Sequence, residues 1–176
     1  MKKHMNRILP LLAAVIAALS LCACSGGSSI VGAPFFESAE WSWSSETVEE
    51  KMGVCAEPYS SIYGGTTFTY PHSYLGREGT VKFMFSESGR LASVAWTFIT
   101  GSADELDAVC SEAERIETRR NGRSSSPREG VGNSGNVWYT KDADILLYSV
   151  SVNGSYGFQY SYINRDFSKR NIAKSR

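Results

Sequence analysis

Three groups of residues in this sequence have the side-chain types that catalysis needs. His72, in the stretch YPHSY from Tyr70 to Tyr74, is one of two histidines, the other being His4. With a serine and a carboxylate beside it, such a histidine serves as the base of a nucleophilic triad. Carboxylates fall close together at Glu49 and Glu50 and again at Asp142 and Asp144, the residue types that divide acid and base roles in glycan hydrolysis. Gly130 to Gly135, GVGNSG, has the G-x-G-x-x-G spacing that holds a pyrophosphate where a strand turns into a helix.

Each group has a simpler reading. YPHSY is turn-like and no G-x-S-x-G accompanies it, so His72 is expected on a loop or surface. The paired carboxylates are accounted for as solvated charges of a helix and a turn. After GVGNSG comes a strand pattern, not a helix, which removes the nucleotide reading. A single histidine outside the leader also builds no HExxH or Cys/His zinc spacing. No catalytic, cofactor-binding or metal-ligating residue is therefore assigned, and the chain reads as a non-enzymatic protein. The alternative is a small hydrolase of wall or glycan material that uses His72 or a carboxylate pair.

The cysteines carry more. Lys2, Lys3 and Arg7 precede an apolar run from Ile8 to Leu21, broken by Pro10 and Ser20. That is the layout of a secretory signal peptide, and the run is shorter than the roughly 20 residues a membrane-spanning helix needs. Leu21-Cys22-Ala23-Cys24 closes it. This quartet resembles the lipobox of bacterial lipoproteins, with Leu three before the modified cysteine and Ala one before it. The resemblance implies that residues 1–23 are removed and that Cys24 carries a diacylglyceryl group anchoring the chain to a membrane. It places the protein in the cell envelope, outside the cytoplasm, on a tether formed by residues 24–40. Two acyl chains suffice for stable anchoring, at about 0.8 kcal/mol per buried methylene.

Removing residues 1–23 takes away three basic residues and no acidic ones, moving the formal charge from zero to −3. A mildly acidic surface argues against a nucleic-acid partner. With Cys24 acylated, only Cys55 and Cys110 remain as thiols, an even pair in an exported chain, and so a candidate disulfide if they are not two separate buried thiols.

The elements that must position these residues follow from periodicity. Ser44 as N-cap, Trp43 and Val48 as a hydrophobic staple, and Gly53 as a stop predict a helix over Ser45 to Met52. Phe68 and Tyr70, then Val81, Phe83 and Phe85, then Ala92, Val94, Trp96 and Phe98 alternate as three antiparallel strands between Thr66 and Thr100. Ser102 and Glu105 form a capping box for a helix from Ala103 to Arg120, whose stripe should bury Leu106, Val109 and Ile116. Arg123 to Asn136 should be a mobile loop. Strands are expected at Val137 to Thr140, Asp144 to Val152 and Tyr156 to Ile163, with an Asn153-Gly154 hairpin setting Ser151 opposite Tyr156 and Ser149 opposite Phe158.

The expected fold is α+β, one domain over residues 41–163, with an antiparallel sheet, helices on one face, the order α-β-β-β-α-β-β-β and two loosely related halves. Residues 164–176 would form a basic polar tail, including Arg165, Lys169, Arg170, Lys174 and Arg176, available to anionic lipid or wall polymer. The element order resembles the small tandem α/β modules of beta-lactamase inhibitory protein and of outer-membrane assembly lipoproteins. Tyr156, Phe158, Tyr160 and Tyr162 share one face of the last strand, so they lie either under the helices or exposed as a recognition surface for another envelope protein. The expected function is a lipid-anchored binding or scaffold domain acting through one face of its sheet.

Overall fold

The computed structural model describes Phe36, residues 39–126 and residues 134–168. The expected signal segment, Cys24, most of the tether, residues 127–133 and the tail from Lys169 onward lie outside the described residues. Two helices and seven strands follow one another in the order α1 (Ser45–Met52), β1 (Tyr59–Ser60), β2 (Gly64–Tyr74), β3 (Arg77–Ser86), β4 (Leu91–Thr100), α2 (Ala103–Asn121), β5 (Ser134–Tyr139), β6 (Ala143–Val152) and β7 (Ser155–Asn164). The strands form one antiparallel sheet in the order β1-β2-β3-β4-β7-β6-β5, so the fold is α+β. Among the described residues no helix is long and apolar enough to cross a membrane.

Each half is a helix followed by a meander, and the halves join through their last long strands. Across that seam Val94 pairs with Tyr162, Trp96 with Tyr160 and Phe98 with Phe158. Because side chains alternate along a strand, register sends these six residues to one face together with Phe68, Tyr70, Val81 and Phe83 on one side and Ile145, Leu147 and Trp138 on the other. All of them are buried. Both helices cover this face. Trp43 at the head of α1 stacks on Phe83, while α2 buries Leu106, Val109, Cys110 and Ala113.

The helix signals act as the sequence suggests, with one exchange of partners. The Ser44 side chain accepts from Thr47 N, and Gly53, at a φ of +91°, closes α1 by donating to the Glu49 carbonyl. Ser102 accepts from Glu105 N at 3.2 Å. The reciprocal half of the capping box is relayed, because Thr100 Oγ1 donates to Glu105 at 2.5 Å and itself accepts the Ser102 N–H at 3.1 Å. The Asn153-Gly154 hairpin has both residues at positive φ, 51° and 78°, as a type I′ turn requires. It pairs Ser151 with Tyr156 and Ser149 with Phe158, the expected register.

The domain is larger than its expected bounds at both ends. Phe36 packs edge-on against Trp43 and Phe83, and Ala39 is fully buried. At the other end Arg165–Phe167 form a 3-10 turn, and Arg165 donates to the Thr140 carbonyl at 3.1 Å and faces Asp144 at 3.7 Å. The chain from Asn164 to Ser168 is thus part of the fold, not of a solvated tail. β1 was not expected, and β5 starts three residues early, at Ser134. The described part of the expected loop is pinned to β5, since Ser125 N donates to the Val137 carbonyl and Val137 N to that of Ser126.

The cysteine pair is corrected as well: Cys55 and Cys110 are both buried thiols, not a disulfide. Cys55 follows α1, with its Sγ against the Thr69 carbonyl of β2. Cys110 belongs to α2, which packs over the β4-β7-β6-β5 side of the sheet. The helices share a face but lie over different halves of it.

Gly79 on β3 marks a close approach in this face. The Trp96 indole crosses it so that Nε1 reaches the His72 carbonyl at 2.9 Å, and a Cβ at Gly79 would lie 2.6 Å from that nitrogen and 2.5 Å from the Thr97 carbonyl oxygen. Backbone supplies one of the clashing atoms, so the site does not relax freely. Gly79→Ala is expected to destabilise the fold by about 1–3 kcal/mol, read as a lowered midpoint in urea unfolding at unchanged slope.

Candidate functional site

The four aromatic residues of β7 settle on the covered side. Tyr160 is 0% and Phe158 and Tyr162 are 2% exposed, with Tyr156 partly buried beside them. They are core, which overturns their reading as an exposed recognition stripe. The physical reason is register: pairing with Val94, Trp96 and Phe98 commits them to the face that both helices need.

What the stripe does instead is bind a buried charge. Glu117 of α2 is fully buried, and its Oε1 accepts hydrogen bonds from the hydroxyls of Tyr160 and Tyr162, the latter at 2.5 Å. Its Oε2 accepts from Asn121 Nδ2 at 2.5 Å. A buried carboxylate is tolerated only when its oxygens are met by donors, and here three donors meet it. Burial, with the adjoining Glu117 carboxylate adding to it, pushes both phenol pKa values far above the ordinary 10.0. Glu117 was missed in the sequence, where the stripe was continued to Ile116, which is only half-buried. The signal was the spacing: Glu117 stands four after Ala113 and seven after Cys110.

Beside this network opens a cleft of about 220 Å³. Trp41 forms a wall, Ile145 and Tyr162 an apolar floor, and Asn121 with the Thr140–Ala143 turn the rim, where Lys141 and Asp142 are exposed. His72 is elsewhere, at the edge of β2 with its ring against Phe36. Asp142 and Asp144 diverge: Asp142 lines the cleft while Asp144 meets Arg165 and Ser168 on the other side of the sheet. Glu49 and Glu50 stay on α1. Among the described residues no group of three or more His, Cys, Asp or Glu could hold a metal ion. Ser134 and Gly135, the last two residues of GVGNSG, begin β5, so a strand stands where a dinucleotide site would need a helix.

The second surface is the sheet face away from the helices. It carries Ile99, Tyr139, Tyr148 and Val152, exposed by 75%, 49%, 41% and 56%, with Leu146, Val150 and Val137 half-buried between them. Tyr148, Gln159 and Thr97 lie in register across β6, β7 and β4, as do Val150, Gly157 and Ile99. Gly157 leaves a gap in that second row, and a Cβ there would meet Val150 at 3.0 Å. Lys82 stands on the same face, with burial drawing its ammonium pKa below the ordinary range. At the far end Phe167 packs edge-on against Tyr63 and lies under the Arg90 guanidinium, which pairs with Asp166. No helix lies over the rest of this face among the described residues.

The Glu117 network yields two expected outcomes. Glu117→Ala strands two buried hydroxyls and should cost about 3–5 kcal/mol, against about 1–2 for Glu117→Gln, which keeps an acceptor. Alkali acts through the same phenols. Folded, they hold their protons, whereas in the unfolded chain they ionise near 10.0; their contribution is full below that pH and is lost as pH rises above it, at about 1.4 kcal/mol per pH unit for each phenol. Denaturant midpoints measured across that range should fall more shallowly in Tyr160→Phe than in wild type. Comparison with known protein families, curated proteins and solved structures returned no match for the chain.

Proposed function

We propose that the protein is a lipid-anchored cell-envelope binding domain that docks a partner protein through the sheet face opposite its helices. The observation that supports this is the set of large apolar side chains, Ile99, Tyr139, Tyr148 and Val152, standing exposed on that face. A sheet face left to water is ordinarily polar, and an apolar one marks contact with another surface. Its few charges favour a protein partner over a polyanion. Tyr and Ile give large contact area at modest entropy cost, with polar Thr97 and Gln159 at hand for orientation. The function expected of one sheet face is retained in this reading, but the face is the other one: β4, β5 and β6 supply it instead of the aromatic side of β7. The membrane anchor rests on the lipobox residues Leu21 to Cys24 alone.

Both parts are open to direct measurement. Intact-mass analysis of the membrane fraction should find a diacylated N-terminal Cys24, and Cys24→Ala should release or stall the protein; soluble, unmodified protein would remove the anchor. A photo-reactive phenylalanine analogue placed at Tyr148 or at Ile99 should form a discrete protein adduct in the producing cells, whereas one at Arg119, exposed on α2, should not. Equal adducts from all three positions, or none from the sheet, would refute the docking face.

A further inference from the structure

The cleft beside α2 has features that the docking face does not explain. Trp138 Nε1 donates to the Gly122 carbonyl at 2.8 Å and Trp96 Nε1 to that of His72. Trp41 differs from these two. Its Nε1 is buried and has no acceptor among the described residues, and its side chain lines the cleft. A donor closed off in this way does not reach a ligand in the cleft, so what Trp41 offers there is its aromatic ring.

The rest of the lining restricts what that ligand is. Ile145 and the Tyr162 ring offer an apolar floor, and Trp41 an aromatic wall. The Tyr162 hydroxyl is turned away to Glu117, so the floor presents ring carbon. At the rim Asn121 gives one amide hydrogen to Glu117 and keeps its carbonyl oxygen and second hydrogen for other partners. Lys141 and Asp142 carry opposite charges side by side. An anion would be drawn to Lys141 but opposed by Asp142 and by the carboxylate behind Tyr162; a cation would meet the reverse. A neutral ring with one apolar face and hydroxyls around its edge meets every one of these groups. About 220 Å³ is below the roughly 300–1,000 Å³ of sites for drug-sized ligands, which sets the occupant at about one ring.

The geometry points to a saccharide subsite in which Trp41 packs on a single neutral sugar residue at the end of a glycan, with Asn121, Lys141 and Asp142 hydrogen-bonding its hydroxyls. This site is independent of the docking face and lies on the other side of the sheet.

Nuclear magnetic resonance titration of the folded domain with glucose, mannose, N-acetylglucosamine and their disaccharides tests it. At least one probe should shift the Trp41 indole signal with a Kd in about the millimolar range. Lys141→Ala and Asp142→Ala, both at exposed positions, should each weaken that binding by about tenfold. Trp41→Leu removes the ring and should weaken it by a similar factor, read from the amide signals of Lys141 and Asp142; Tyr148→Ala on the docking face should leave it unchanged. No shift at Trp41 from any probe, binding unaffected by the three cleft substitutions, or glucuronate binding more tightly than glucose would each overturn the proposal.

Discussion

The pairing of β4 with β7 is the contact on which the rest of the molecule depends. Without it the chain is two helix-and-meander units, the first with a four-stranded and the second with a three-stranded sheet, each too small to bury its own apolar side. With it, the Trp96 and Tyr160 side chains meet at the centre of one continuous face, both fully buried, and the two helices share a single core. The seam also decides which side of β7 is inside. Once Val94 faces the helices, Tyr162 must face them too, and every other residue of the strand follows.

Placing tyrosines under a helix creates a polar demand inside the core, and Glu117 answers it. The carboxylate is stable there because two phenols and an amide surround its oxygens, and the phenols are satisfied because the carboxylate is there. Such reciprocal satisfaction is worth little as net stability but a great deal as specificity, since a rotation of α2 leaves the carboxylate and the two phenols without one another. It orients the helix on the sheet, and with it the Asn121 and Tyr162 sides of the cleft.

Much of this architecture was legible in the sequence. Ser44, Trp43, Val48 and Gly53 placed α1; Ser102 and the run of apolar residues placed α2; Asn153-Gly154 set the register of the last hairpin. These are local signals whose physics is complete within a few residues. What the sequence did not disclose was non-local. Whether Tyr156 to Tyr162 lay beneath the helices depended on the partner of β7, which is β4, far away in the chain. The separation of Cys55 from Cys110 depended on how far apart two helices on the same face would lie. Glu117 was hidden because a charged residue on an apolar stripe is intelligible only beside the hydroxyls that meet it. The open face escapes notice for the opposite reason: Tyr148 and Ile99 are ordinary strand residues until the sheet places them exposed on the side away from both helices.

The seam has a further consequence in time. Its partners, such as Ser93 and Ile163, stand about seventy residues apart, so the central pair of strands closes only after a long loop has been gathered. A chain made or delivered from its N-terminus has β4 in hand, with one edge unpaired and its inward side chains half covered, until β7 arrives after α2, β5 and β6. The protein therefore completes its core late, and any truncation that removes β7 leaves an open, apolar sheet edge instead of a smaller version of the same domain.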